Sequence, residues 1–353
     1  MRDWTVPRAR LLGWYDAHAR DLPWRRTRDP YAIWVSEIML QQTRVETVIP
    51  YYTRFMARFP SAEALAAAEP DEVLAHWSGL GYYRRARLLH EGARTVVRDH
   101  GGTLPRDPVL RRALPGIGAY TAGAIGSIAF DLPEPIVDGN VARVLTRVLC
   151  IDTPLGERAT ERVLWQEATH LAAGERPGAL NQALMELGAR ICTPLNARCG
   201  VCPLCDHCDA RRLGRVDELP VPAKKKAPKP VHLVALVAHA PDGRLWLARG
   251  DGSLFGGLWG CPMQEGKGRK AALDLATRVG LTGTLARKAL GTVTHVLTHR
   301  ALTLELFTLQ NAEGAELPAL RKLAPRELET VGIATLTRKI LAAAEGAVST
   351  SPS

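Results

Sequence analysis

A chain of 353 residues is long enough for about two domains, and 46% hydrophobic with 23% charged residues is the composition of a folded protein. There is no run of about 18 or more apolar residues and no apolar core behind Met1-Arg2-Asp3-Trp4. That rules out a membrane span and leads us to expect no membrane partner, no secretion signal and a cytoplasmic protein. The 46 Lys and Arg exceed the 36 Asp and Glu, and the net charge of +10 points to a polyanionic partner, nucleic acid first.

Residues 1–218 read as almost all helix. Ala62–Trp77 is rich in Ala and Leu, and Arg84–His100 repeats apolar positions at helical spacing. Pro60, Pro70, Gly79, Gly81, Gly101, Gly102 and Pro105 punctuate these segments. Residues 1–223 contain no lysine, so no amine is available there to form a Schiff base.

Tyr31-Ala-Ile-Trp-Val-Ser-Glu-Ile-Met-Leu40 is apolar except for Ser36 and Glu37. A helix apolar on all faces is buried. Burial without a cationic partner raises a carboxyl pKa, which lets Glu37 hold a proton and deliver it as a general acid. The alternative is a structural Glu paired with an arginine. Gln41-Gln42-Thr43-Arg44 follows, either a helix end or amides able to bond base edges. Tyr82-Tyr83 sits among glycines and cations, suited to insertion into a duplex or to burial as a pair.

Leu114-Pro-Gly-Ile-Gly-Ala-Tyr-Thr121 puts Gly116 and Gly118 at the opening of a small-residue helix, where free N–H groups bind phosphate. The pattern over about 112–125 matches a DNA-binding helix-hairpin-helix. Asp138, in Val137-Asp-Gly-Asn140, precedes a helix running to about Leu149. It reads as an N-cap, or as a carboxylate held ionised by helix N–H groups and able to face a developing cation.

Cys192, Cys199, Cys202 and Cys208 have the spacing C-x6-C-x2-C-x5-C, which can wrap either an iron–sulfur cluster or zinc. Cys199, Cys202, Cys205 and Cys208 form a second, evenly spaced set, and His207 is a further candidate ligand. Cys150 and Cys261 are isolated and read as core thiols.

Residues 219–230, with four Pro and four Lys, read as an extended linker. Residues 231–346 read as an α+β domain: β-rich runs at Val231–Ala240, Arg244–Ala248 and within Thr292–Leu309, with helices at Lys270–Val279 and Thr335–Glu345. Residues 347–353 read as a disordered tail.

Together Asp21-Leu-Pro-Trp-Arg25, Trp34–Thr43, Leu114–Thr121, Val137–Asn140 and the cysteine spacing resemble adenine DNA glycosylases of the MutY type, within the endonuclease III superfamily. The resemblance implies a six-helix barrel with a helix-hairpin-helix and an iron–sulfur loop at 192–208, followed by a Nudix-like domain that reads 8-oxoguanine. It implies a monomeric, nucleoid-associated base excision repair enzyme on double-stranded DNA with A·8-oxoguanine or A·G mispairs.

By that resemblance Glu37 is the catalytic acid, Asp138 the carboxylate facing the sugar cation, and Tyr120 and Asn140 further catalytic residues. Cys192, Cys199, Cys202 and Cys208 ligate a [4Fe–4S] cluster. Trp24, Arg25 and Gln182 line the adenine pocket. Gln41, Gln42, Tyr82, Gly116, Gly118, Thr298 and His299 meet DNA or the lesion. Strand-cutting relatives carry a lysine where this chain has Tyr120, which favours a monofunctional, water-using glycosylase over a glycosylase/lyase acting on oxidised pyrimidines. The Nudix-type carboxylate pair is replaced by Thr277 and Arg278, which opposes nucleotide hydrolysis. Leu297 stands where relatives have Phe. A non-catalytic DNA-binding iron–sulfur protein is opposed by the Glu37 and Asp138 pair.

Overall fold

The computed structural model describes residues 2–223, 227–250, 254–297 and 299–349. The chain forms two compact units, one of Met1–Ala67 and Leu88–Lys225, the other of Ala68–Arg87 and Lys226–Ser353. The helices, in chain order, are α1 (Thr5–His18), α2 (Pro30–Leu40), α3 (Val45–Arg58), α4 (Ala62–Ala66), α5 (Pro70–His76), α6 (Arg84–His100) and α7 (Pro108–Ala113). Then come α8 (Ala119–Phe130), α9 (Gly139–Val148), α10 (Arg158–Ala172), α11 (Pro177–Arg190) and α12 (Asp209–Arg212).

Local chemistry sets the boundaries that matter for function. Asp29 caps α2 by accepting the N–H groups of Tyr31 and Ala32, with Pro30 at the first helical position. Asp107 and Pro108 open α7 in the same way. Arg111, fully buried, donates to the carbonyls of Ala122 (3.0 Å) and Arg106 (2.8 Å) and pairs with Glu134 at 2.6 Å. It therefore ties α7 to α8 and fixes the hairpin between them. The core of this unit joins Leu11 of α1, Ala124 of α8, Val144 and Leu145 of α9, Leu164 of α10 and Leu184 and Leu187 of α11. Burial of such side chains contributes roughly 1.5–3 kcal/mol each.

The second unit is a mixed sheet covered on both faces. Its strands are β1 (Lys229–His239), β2 (Leu245–Arg249), β3 (Trp259–Gly260), β4 (Met263–Glu265), β5 (Thr282–Leu285), β6 (Gly291–Val296), β7 (Arg300–Glu313) and β8 (Leu320–Leu323); its helices α13 (Gly268–Arg278) and α14 (Thr335–Ser349) follow β4 and β8. β1 runs parallel to β7, with Leu233 opposite Leu304, and antiparallel to β2 and β4. Alternate residues of β1 serve different cores. Leu233, Ala235 and Val237 pack with Leu336 and Ile340 of α14, while Val234, Leu236 and Ala238 pack with Ala272 and Leu275 of α13. Burial on both faces explains why this strand reads as an unbroken apolar run.

Four features differ from the sequence reading. Residues 68–87 belong to the C-terminal unit. Ala62–Trp77 is two helices, because Pro70 starts a new one. The expected linker 219–230 is shorter: the Leu219 carbonyl accepts from the buried Arg147 (2.9 Å), the Val221 carbonyl from Leu155 N–H (3.0 Å), and Lys229 and Pro230 already belong to β1. Residues 347–349 continue α14, so the expected tail begins later; 350–353 lie outside the described residues. Among the described residues no helix is long and apolar enough to cross a membrane.

Candidate active site

Glu37 lies in α2, 4% exposed, as the all-apolar helix requires. The Tyr120 hydroxyl, from the first turn of α8, donates to Glu37 Oε2 at 2.6 Å. Burial pushes the Glu37 carboxyl up from the ordinary carboxylate range to about 7; Tyr120 and Arg25 oppose the rise and Asp138 adds to it. Burial and the two carboxylates hold the Tyr120 phenol well above its usual value, so it acts as a donor. Among the described residues no Arg or Lys forms an ion pair with Glu37, which sets aside the structural pairing.

Asp138 is the N-cap of α9. Its Oδ1 accepts from Val141 N–H at 2.7 Å and its Oδ2 from Asn140 Nδ2 at 2.9 Å. The N-cap reading is the observed geometry, and it leaves the carboxylate on the cavity wall. Burial outweighs these bonds and raises the Asp138 pKa, against the expectation that helix N–H groups hold it ionised. Asn140 is itself held: Arg143 Nη2 donates to Asn140 Oδ1 (2.8 Å) and to the Gly188 carbonyl (2.8 Å), and Arg143 Nε to the Cys192 carbonyl (2.7 Å).

Glu37, Tyr120, Asp138 and Asn140 line one cavity of about 710 Å³, together with Trp24, Arg25, Gln182, Gln41, Gln42, Gly116 and Gly118. Gln41 Nε2 donates to Thr121 Oγ1 at 3.4 Å, and Gln42 turns the chain out of α2 with φ 58°. Gly116 has φ +76°, and a Cβ there would stand 2.8 Å from Leu88 Cβ, so the hairpin admits only glycine. No side chain caps α8, which leaves first-turn N–H groups beside Gly118 for an anion.

Sequence reasoning missed Glu186. Its side chain is fully buried and lines the same cavity. Arg20 Nε donates to it at 2.7 Å and Arg25 Nη2 at 2.9 Å, while Arg190 lies at 3.4 Å. Burial alone would raise its pKa, but Arg20 and Arg25 outweigh it and hold the carboxylate below its usual range. One cavity therefore contains a carboxyl poised to hold a proton and another held ionised. The available signal was Gln182 and Glu186, four apart on one face of α11.

Other expected site residues fall elsewhere. Tyr82 is 51% exposed, has φ 47°, and belongs to the second unit. His299 is exposed in the turn between β6 and β7, where Leu297 N–H donates to the Arg300 carbonyl at 2.8 Å. Thr298 lies outside the described residues. Leu297 packs against the sheet's α14-side core instead of standing free. Thr277 and Arg278 are bound to the carbonyls of Leu273 and Met263.

Cys192, Cys199, Cys202, Cys205 and Cys208 all border a separate apolar cavity with Val144, Leu187 and Arg147. Arg147, 1% exposed, donates to Cys192 Sγ (3.3 Å) and to the Thr193 carbonyl (2.7 Å). Burial pushes the Cys202 thiol up to about 12 and raises Cys199 and Cys208. Cys205 differs in facing Asp206 Oδ1 at 3.3 Å. Among the described residues no three Cys, His, Asp or Glu side chains converge as ligands for a single ion.

Residues 35–169 match the HhH-GPD superfamily of base excision DNA repair proteins, and 234–343 match the NUDIX domain. Adenine DNA glycosylase of Rattus norvegicus is 37% identical over 400 residues, covering 96% of this chain and 78% of its own length. The chain belongs to the adenine DNA glycosylase family. As a member of that family it is an enzyme of base excision DNA repair. A solved thermostable thymine-DNA glycosylase is 31% identical with a TM-score of 0.53, covering 60% of this chain and all (100%) of its own. A trapped endonuclease III–DNA covalent intermediate has the same helical fold at 21% identity and a TM-score of 0.50, covering 61% of this chain and 99% of its own.

Proposed function

We propose that this glycosylase, acting as a monomer, hydrolyses the N-glycosidic bond of adenine mispaired with 8-oxoguanine or guanine in double-stranded DNA and leaves the strand intact. The observation that carries this reading is Glu37: buried, raised to about 7, bonded to Tyr120 and facing one cavity with Asp138. Adenine must leave the base stack to enter that cavity, at a cost of a few kcal/mol. Protonated Glu37 donates to adenine N7. The C1′–N9 bond breaks, its electron pair leaves with the base, and positive charge develops on the sugar. Asp138 stabilises that charge, and the developing cation in turn favours its ionised form. Water adds at C1′ and returns a proton to Glu37. Tyr120 orients the Glu37 carboxyl, and Trp24, Arg25 and Gln182 hold the base, with Arg25 fixed by Glu186.

Base release from A·8-oxoguanine, A·G and A·T duplexes, read with and without alkali, tests this reaction. Adenine should be lost from the two mispairs, and strands should break only after alkali. Rapid cleavage with borohydride trapping would show an amine nucleophile and contradict the role of Tyr120.

The cysteine cavity supports a [4Fe–4S] cluster held by Cys192, Cys199, Cys202 and Cys208. Thiols that ring a cavity suit a polynuclear core better than a single ion, and iron would offset the cost of ionising buried thiols. The cluster, when bound, shapes the loop that presents Arg198, Arg211 and Arg212 to the DNA backbone. Purified protein should contain about four irons per chain. Cys192→Ser should lose more iron than Cys205→Ser, because Cys192 is anchored by Arg147; the reverse order would favour the evenly spaced set.

Thr298 and His299, with Gln42 and Tyr82, are proposed to read 8-oxoguanine. Thr277 and Arg278, committed to structural bonds on α13, support recognition over nucleotide hydrolysis.

A further inference from the structure

The loop that carries Tyr82 is built into the C-terminal unit. Asp71 of α5 accepts from Arg249 Nη2 at 2.7 Å through Oδ1, and its Oδ2 lies 3.5 Å from Trp259 Nε1. Arg249 lies over the Trp259 ring, 5.6 Å from its centroid, and donates to the Gly257 carbonyl at 3.3 Å. The Tyr83 hydroxyl donates to the Ile333 carbonyl at 3.0 Å and accepts from Gly79 N–H at 3.4 Å. At Gly332 a Cβ would come within 2.6 Å of Leu74 Cβ, so α5 lies against the backbone next to Ile333. Trp259, Gly332 and Ile333 are one patch, because Trp259 N–H donates to the Gly332 carbonyl at 2.9 Å.

Between these anchors Tyr82 is strained. Gly79, Gly81 and Tyr82 all have positive φ, at 105°, 71° and 47°. A tyrosine holds that conformation only when its surroundings impose it. Within the segment, Trp77 Nε1 donates to the Gly81 carbonyl at 3.1 Å and Arg85 to the Leu80 and Gly81 carbonyls at 3.3 Å. The residue directly after Tyr82 is tied to Ile333, about 250 positions along the chain.

We propose that the C-terminal unit governs lesion discrimination through Tyr82 as well as through its β6–β7 turn, with Tyr83, Asp71 and Arg249 as positioning residues. This rests on the reading of Tyr82 as a lesion contact. Loss of the C-terminal anchors would relax the loop and let Tyr82 leave the orientation that separates 8-oxoguanine from guanine.

The test uses the full chain and the ratio of single-turnover rates on A·8-oxoguanine and A·G at subsaturating enzyme. Tyr82→Ala should narrow the ratio. Tyr83→Phe and Asp71→Asn should each narrow it by about three- to tenfold, with the rate on saturated A·8-oxoguanine unchanged. In the double variant, Tyr83→Phe should add less than about twofold to Tyr82→Ala, because both act through one side chain. If Tyr83→Phe folds poorly, Asp71→Asn with Tyr82→Ala gives the same cycle. Wild-type ratios in Tyr83→Phe and Asp71→Asn beside a reduced ratio in Tyr82→Ala would overturn the positioning role and leave the Tyr82 contact standing. Multiplicative effects would also overturn it. A wild-type ratio in Tyr82→Ala would overturn the lesion contact, and the inference with it.

Discussion

Glu37→Gln is expected to lower single-turnover adenine release by about 10²- to 10⁴-fold, the contribution of a positioned general acid. Glutamine has the same shape, and its amide oxygen still accepts the Tyr120 hydroxyl that now bonds Glu37 Oε2 at 2.6 Å. What it lacks is an acidic proton. It also removes the need to keep a carboxyl neutral in an apolar helix, so thermal stability should hold or rise. The sign follows from linkage. A carboxyl raised to about 7 in the folded state costs no stability at low pH, and stability is lost as pH rises from the ordinary carboxylate range through about 7. Duplex affinity should stay close to wild type. A wild-type rate in this variant would remove Glu37 from the mechanism.

Asp138→Asn is expected to cost about 10³-fold, equivalent to about 4 kcal/mol, for a lost charge facing a cationic transition state. The choice of asparagine separates two roles that share one side chain. Asparagine caps helices about as well as aspartate, so the bond from Val141 N–H can survive. The second bond cannot survive unchanged. Asn140 Nδ2 now donates to Asp138 Oδ2, while Asn140 Oδ1 is taken by Arg143. An amide at 138 would set donor against donor, and some stability should be lost there. Single-turnover rates beside calorimetry divide the two effects. If the whole rate loss tracks a lower melting temperature, Asp138 is a cap and nothing more.

What could be read before the fold was known was local. An all-apolar helix announces that its single carboxyl is buried, and Glu37 is. A Pro-Gly-x-Gly turn before small residues announces a helix start, and Gly118 caps α8. Asp before Gly-Asn announces a cap, and Asp138 is one. The sequence misled where long-range packing decides. Nothing local to Arg20 or Arg25 points to Glu186, more than 160 residues away, which gathers both. Tyr82 and Tyr83 sit in an apparently continuous helical region, yet their segment docks on a sheet that begins after residue 228. Nothing in local periodicity reports a partner that distant. The Asp138 pKa shows the same limit: helix N–H groups are visible in sequence, but the burial that outweighs them depends on how α9 packs with its neighbours.

The most direct test of the proton donor is the pH dependence of single-turnover adenine release from an A·8-oxoguanine duplex, measured on wild type and Glu37→Gln at saturating enzyme. The expected wild-type rate is highest where Glu37 is protonated and falls as pH rises through about 7, whereas the residual rate of Glu37→Gln lacks that limb. A wild-type rate that stays level or climbs through that range would contradict Glu37 as the acid that frees the base.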